Sequence, residues 1–170
     1  MPSTAFLLGS GRKRKPIKSK DMVKLNVIEQ GKPTDGVLDM LMQYAGVSDA
    51  GQKVILESCL VRAMDMVQRY ADKALLAGRW RIVASDFSGE LHVYMGGKVE
   101  YVSGRQGERL SYQQFGDMVY VPADYAEVVF NTEVEQAQFD VLLPVVLKYA
   151  TALYDGDNTS VLNAILKECL

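Results

Sequence analysis

The sequence has one histidine and two cysteines in 170 residues. Cys59 and Cys169 lie far apart and form no metal-binding or redox spacing, which fits reduced thiols in a reducing compartment. His92 has no second histidine and no cysteine nearby in sequence, so neither a metal site nor a Ser-His relay is expected around it. No apolar run approaches the roughly 18 residues that a membrane span needs. The apolar piece Ala5-Phe-Leu-Leu8 is too short for the core of a signal peptide, and it precedes the basic residues instead of following them. Leu8-Gly-Ser-Gly-Arg-Lys13 brushes against a phosphate-binding loop but fails on glycine-to-lysine spacing and on the missing Ser or Thr after the lysine. Asp155-Gly-Asp-Asn158 is too short for a calcium loop, and the twelfth position counted from Asp155 is Leu166, so it reads as a turn between helices. No nucleophile–base pair, metal set or cofactor motif is left, and the expectation is a protein that is not an enzyme and holds no metal or cofactor.

Acidic residues are missing from one place only. Residues 1–20 contain six bases (Arg12, Lys13, Arg14, Lys15, Lys18 and Lys20) and no acid. The other 150 residues hold 13 bases against 21 acids, a balance of −8. The chain is an acidic body with a basic arm. Such an arm attracts phosphates or an acidic protein surface over about a Debye length, roughly 8–10 Å at ordinary salt. It has no aromatic residues interleaved with its charges, as stacking on single-stranded nucleic acid would require.

The chain length fits one domain with a core large enough to stand without metal or disulfide. Gly9, Gly11 and Pro16 break regular structure in the arm. Val23 to Ile28 reads as a short extended segment and Gly31 to Gly36 as a loop. Val37 to Ala45 reads as a short helix capped by Gly46. Ser48 or Asp49 caps a long helix from about Ala50 to Leu76, with Leu56, Leu60, Ala63, Val67, Tyr70 and Ala74 on its apolar stripe and Gly78 ending it. Short strands follow, with turns roughly every ten residues: Arg79–Ala84, Leu91–Met95, a Gly96-Gly97 hairpin signal, Val99–Tyr101, Leu110–Tyr112, Met118–Val121 and Glu127–Phe130. Trp80, Tyr94, Tyr101, Tyr112 and Tyr120 are expected to pack the sheet against the long helix. Pro144 is expected near a helix start or a kink, with the regular part at Val145 to Tyr154. Thr159 or Ser160 caps the last helix. The expected fold class is α+β, with a long N-terminal helix, a short antiparallel β-meander, C-terminal helices and an extended basic N-terminal arm. The expected division is residues 1–36 as arm and linker and residues 37–170 as the domain.

Three stretches in this order resemble a known family. The first is Ile55-Leu-Glu-Ser-Cys-Leu-Val-Arg-Ala-Met-Asp-Met-Val-Gln-Arg-Tyr70 with Leu75-Leu-Ala-Gly-Arg-Trp80, a long helix ahead of a tryptophan strand. The second is the helix from Leu147 to Tyr154. The third is the closing Ser160-Val-Leu-Asn-Ala-Ile-Leu166. Together they are similar to the head–tail connector (adaptor) family of tailed bacteriophages. The chain departs from the family in its Lys-Glu-Cys-Leu ending and in its longer, more basic arm.

The resemblance implies a structural neck protein of the virion, assembled in the host cytoplasm. It implies a homo-oligomeric ring of twelve copies on the portal vertex, which extends the DNA channel and offers a docking surface to a head-closure or tail protein. Its implied partners are its own copies, the portal protein, that next component and the genomic DNA in the lumen, with no membrane. Leu162, Ile165 and Leu166 on the terminal helix are the implied portal-docking residues. Arg12, Lys13, Arg14, Lys15, Lys18 and Lys20 are the expected contacts to a partner or to DNA. Two other readings stand beside this one: a small nucleic-acid-binding protein using the basic arm, and a different neck protein, such as a stopper or tail terminator.

Overall fold

The computed structural model describes residues 23–85 and 89–169. Among the described residues, seven strands and four helices make an α+β fold, and every strand pair is antiparallel. None of the described helices is long and apolar enough to cross a membrane. The six basic arm residues, 12–20, lie outside the described residues. Residues 23–36, read as linker, supply a strand and the start of a helix.

Strand β1 (Val23–Gln30) leads to helix α1 (Asp35–Ala45). The Thr34 hydroxyl accepts a bond from the Val37 N–H, and Gly46 closes the helix at φ 71°, in the left-handed region that glycine takes freely. Asp49 caps a 3-10 turn at Ala50–Gln52, which runs into helix α2 (Lys53–Ala71). The helix ends earlier than the expected Leu76. Asp72 takes a left-handed conformation at φ 55°, which Asp tolerates better than most residues. The buried Gln68 side chain then accepts the N–H groups of Leu75 at 3.0 Å and Leu76 at 3.3 Å. Those two groups have a side-chain partner in place of a helical one, so the apolar pattern continues while the helix stops.

The remaining strands are β2 (Gly78–Ser85), β3 (Gly89–His92), β4 (Lys98–Ser103), β5 (Gln113–Phe115), β6 (Met118–Val121) and β7 (Tyr125–Thr132). They form a four-stranded sheet in the order β1-β2-β7-β4 and a three-stranded sheet in the order β3-β6-β5. A meander, with each strand beside the next, is therefore not what forms. The Gly96-Gly97 signal does mark a tight turn. Met95 and Gly96 have φ of 56° and 67°, and the Gly97 N–H reaches the Tyr94 carbonyl. The chain uses that turn to pass from one sheet to the other, because β3 finds its partner in β6 and β4 finds its own in β7. Leu110 and Tyr112 precede β5 and are not a strand of their own.

The alternation in β2 is as expected: Trp80, Ile82 and Ala84 are buried and sit opposite Phe130, Val128 and Ala126 of β7. This inner face packs against Leu91, Val93, Tyr94, Val119 and Val121 to form one of two cores. The outer face is polar, with Arg79 bidentate on Glu100, Asn131 donating to Glu100, and Arg81 paired with Glu127. Trp80 and Tyr94 meet edge to face at 5.8 Å inside the sheet core, whereas Tyr112 and Tyr120 are exposed. Trp80 thus packs sheet against sheet, and its link to α2 is the Arg69 guanidinium, 5.2 Å from the ring centre.

The second core is helical. It joins Leu38 and Leu41 of α1 and Leu56, Leu60, Ala63 and Val67 of α2 to the C-terminal helices. Helix α3 (Gln136–Tyr154) starts eight residues before Pro144 and continues through it. Pro144 is exposed, so the carbonyl it leaves without a helical partner faces water, while Leu142, Val145 and Val146 stay in the core. The Tyr154 hydroxyl donates to Gln52 at 2.9 Å and ties the end of α3 to the start of α2. Asp155-Gly-Asp-Asn158 is the turn from α3 to helix α4 (Thr159–Cys169), and Asn158 is the cap, its side chain accepting the Val161 N–H.

Candidate interaction surfaces

The terminal helix carries three of the residues singled out from sequence. Ile165 and Leu166 are 5% and 3% exposed and belong to the helical core, with Leu162 packed partly against it. They fasten α4 to its own domain. The surface that α4 offers outward includes Val161, 41% exposed.

The two sheet edges differ. On β4, the Gln114 side chain acts as a short extra strand: its Oε1 accepts the Val99 N–H and its Nε2 donates to the Gly97 carbonyl. The Leu110 N–H donates to the Val102 carbonyl further along. On β1, no described strand pairs with the outer edge, and Val27 and Ile28 are both about half exposed. An open edge of this kind is a template for pairing with another chain.

Sequence reasoning missed one polar cluster. Asp72, at the end of α2, places Oδ2 2.9 Å from His92 Nε2, while its Oδ1 accepts the Met95 N–H at 2.8 Å. Asp117, in the β5–β6 turn, places a carboxylate oxygen 3.3 Å from His92 Nδ1. The spacing 72, 92, 117 carries no local signal, because the fold alone brings the three together. The two carboxylates approach opposite ring nitrogens, whose lone pairs diverge. One ligand atom from each of the three residues lies within 4.8 Å of the other two. The hydrogen bonds of Asp72 to His92 and to the Met95 N–H hold the end of α2 to the second sheet and steady Met95 at its positive φ. Among the described residues, no hydroxyl, thiol or amine side chain bonds to His92. Cys59 is buried, and that burial pushes its thiol above the ordinary range and away from reactivity.

An apolar groove of about 460 Å³ runs between the β1–α1 loop, α1, residues 75–77 and the start of α3. Its walls include Val37, Met40, Leu75, Phe139 and Leu143, with Lys32 and Asp140 among the lining residues. The polar side chains in its lining are those of Lys32, Thr34, Gln136 and Asp140.

No protein-family model matches the chain, and no curated protein matches it. Solved structures do. A chain from the neck of an empty gene transfer agent particle, reconstructed with C6 symmetry, aligns at a TM-score of 0.60 and 13% identity, covering 86% of this chain and 94% of that one. A chain from the virion of a native gene transfer agent particle aligns at 0.54 and 14% identity, covering 77% and 84%. The chain thus shares its overall fold with a chain of that neck and with a chain of that virion.

Proposed function

We propose that the chain is a structural subunit of the head–tail neck of a phage-like particle, the adaptor that forms a ring on the portal vertex. The observation that carries this reading is coverage: the alignment to a neck chain takes in nearly all of both proteins, so it is a match of whole subunits and not of one shared motif. The sequence resemblance in three ordered stretches supports the same reading independently. A ring of twelve, implied by that resemblance, is compatible with the sixfold symmetry of that neck.

The mechanism is passive. Subunits associate side by side, one face docks on the portal, the other receives a head-closure or tail protein, and the lumen passes DNA. No bond is made or broken. In this reading α4 is the portal-docking element, with Leu162, Ile165 and Leu166 holding it rigid and its outward side making the contact. Arg12, Lys13, Arg14, Lys15, Lys18 and Lys20 engage a negatively charged partner as the ring assembles. Acidic lumen residues keep DNA from adhering. The protein resides in the virion and assembles in the host cytoplasm.

Deleting the gene from the genome that encodes it, and imaging the particles, tests this. The expected product is DNA-filled heads without attached tails, with tagged protein restored to the neck on complementation. Normal tailed particles from the deletion would contradict it. Label on the tail side of the neck would point to a stopper or tail terminator. Salt-dependent duplex binding by the free chain, with no label in particles, would favour the nucleic-acid-binding reading.

A further inference from the structure

We infer that the free subunit stows its own N-terminal segment, Phe6 to Lys15, in the apolar groove between the β1–α1 loop, α1 and α3. The groove leaves apolar surface open: Met40 in its wall is 48% exposed, and Val134 also faces water. Its surroundings are acidic. Asp140 lines it, and the exposed Asp35, Asp39, Glu133 and Glu135 each adjoin a lining residue in the chain. Lys32 is the base among them. An occupant must therefore combine a few apolar side chains with neighbouring positive charge.

The chain itself holds a segment of that composition. Phe6-Leu-Leu8 is followed by Arg12-Lys-Arg-Lys15. The segment lies outside the described residues and enters the argument by its sequence and its tether alone. Strand β1 ends at Gln30, beside the groove residue Gly31, and begins at Val23. Its eight residues span about 26 Å at roughly 3.3 Å each. The fifteen residues from Leu8 to Val23 reach up to about 50 Å when extended, enough to run back along β1 to the groove. A tether of this length gives an effective concentration on the order of millimolar, so in dilute solution the chain's own segment outcompetes a second copy. Leu7 and Leu8 or Phe6 cover the apolar wall, and the bases that follow meet the acids at its rim. Stowing keeps an apolar tip and the four positive charges of Arg12 to Lys15 off other surfaces until assembly draws them out.

Limited trypsin digestion of the full chain tests this, with cuts after Arg12, Lys13 and Arg14 followed by mass spectrometry. Wild type is compared with Met40→Lys, which places a like charge in the groove, and with Asp140→Lys, which reverses the rim. Both positions are exposed, and circular dichroism checks that the fold is kept. The expected result is arm cleavage about tenfold slower in wild type than in either variant, unchanged by dilution. Arm cleavage as fast in wild type as in the variants overturns the proposal. Protection that disappears on dilution also overturns it, since the occupant is then a second copy.

Discussion

Gln68 is the buried polar side chain on which the end of α2 turns. Its Oε1 takes two backbone N–H groups and its Nε2 donates to Asp65 at 3.3 Å. Gln68→Ala leaves the N–H groups of Leu75 and Leu76 buried without their acceptor, at about 1–3 kcal/mol for each. The expected loss of 2–4 kcal/mol, about that sum less what local relaxation recovers, is measured by urea denaturation; a loss under ~0.5 kcal/mol would show that the turn holds without this side chain. Tyr94 gives a pH prediction. Burial raises its phenol far above the ordinary range, Arg69 offsets part of this, and Asp72 and Asp65 add to it. The folded state keeps the proton while the unfolded chain loses it near pH 10, so stability is intact below pH 10 and falls above it. The slope for one such group approaches ~1.4 kcal/mol per pH unit, and Tyr94→Phe flattens the alkaline limb of a stability–pH curve by that amount. An unchanged limb would place the loss elsewhere, with the buried Tyr149, also raised by desolvation, as the remaining tyrosine source. These residues also show what a sequence leaves hidden. Trp80, Ile82 and Ala84 announce their burial by period, but Asp72, His92 and Asp117 meet only because three separate elements converge, and Gln68 looks like any polar helix residue.

At the scale of elements, local patterns located most of the pieces and missed how they pair. The strand at Met118–Val121, the Gly46 cap and the helix before Tyr154 each rest on a signal inside a few residues. The order β1-β2-β7-β4 rests on long-range register, and the Gly96-Gly97 turn has the same chemistry whether its flanking strands pair or part. The helix through Pro144 is a case of tertiary packing outweighing a local breaker. Helix α4 is short and marginal alone, so it depends on the face it buries. Leu166→Asp puts a charge where the side chain is 3% exposed and is expected to release α4 from α3, seen as rapid proteolysis at Lys167 and a loss of about 2–4 kcal/mol. Val161→Asp, on the outward side, leaves stability within about 0.5 kcal/mol and weakens portal docking. If Val161→Asp binds the portal normally, the docking role of α4 is wrong.

For the whole molecule, the division of labour is between two cores and the surfaces they leave open. The sheet core and the helical core bury one set of apolar side chains each, while others, Val54, Phe115 and Val141 among them, stay exposed, and the polar outer face of β2, β7 and β4 carries its own ion pairs. Among the described residues, the edge of β1, the groove beside α1 and the outward side of α4 are surfaces left open to contact by other chains. The acidic balance of the body and the basic charge at the N-terminus suit an assembly whose subunits and partners meet through opposite signs. The most direct measurement is electron microscopy of the full chain co-expressed with the portal protein of its own particle. The account predicts closed rings of this chain seated on the portal with an open central channel. A chain that stays monomeric and leaves the portal bare under those conditions would contradict it.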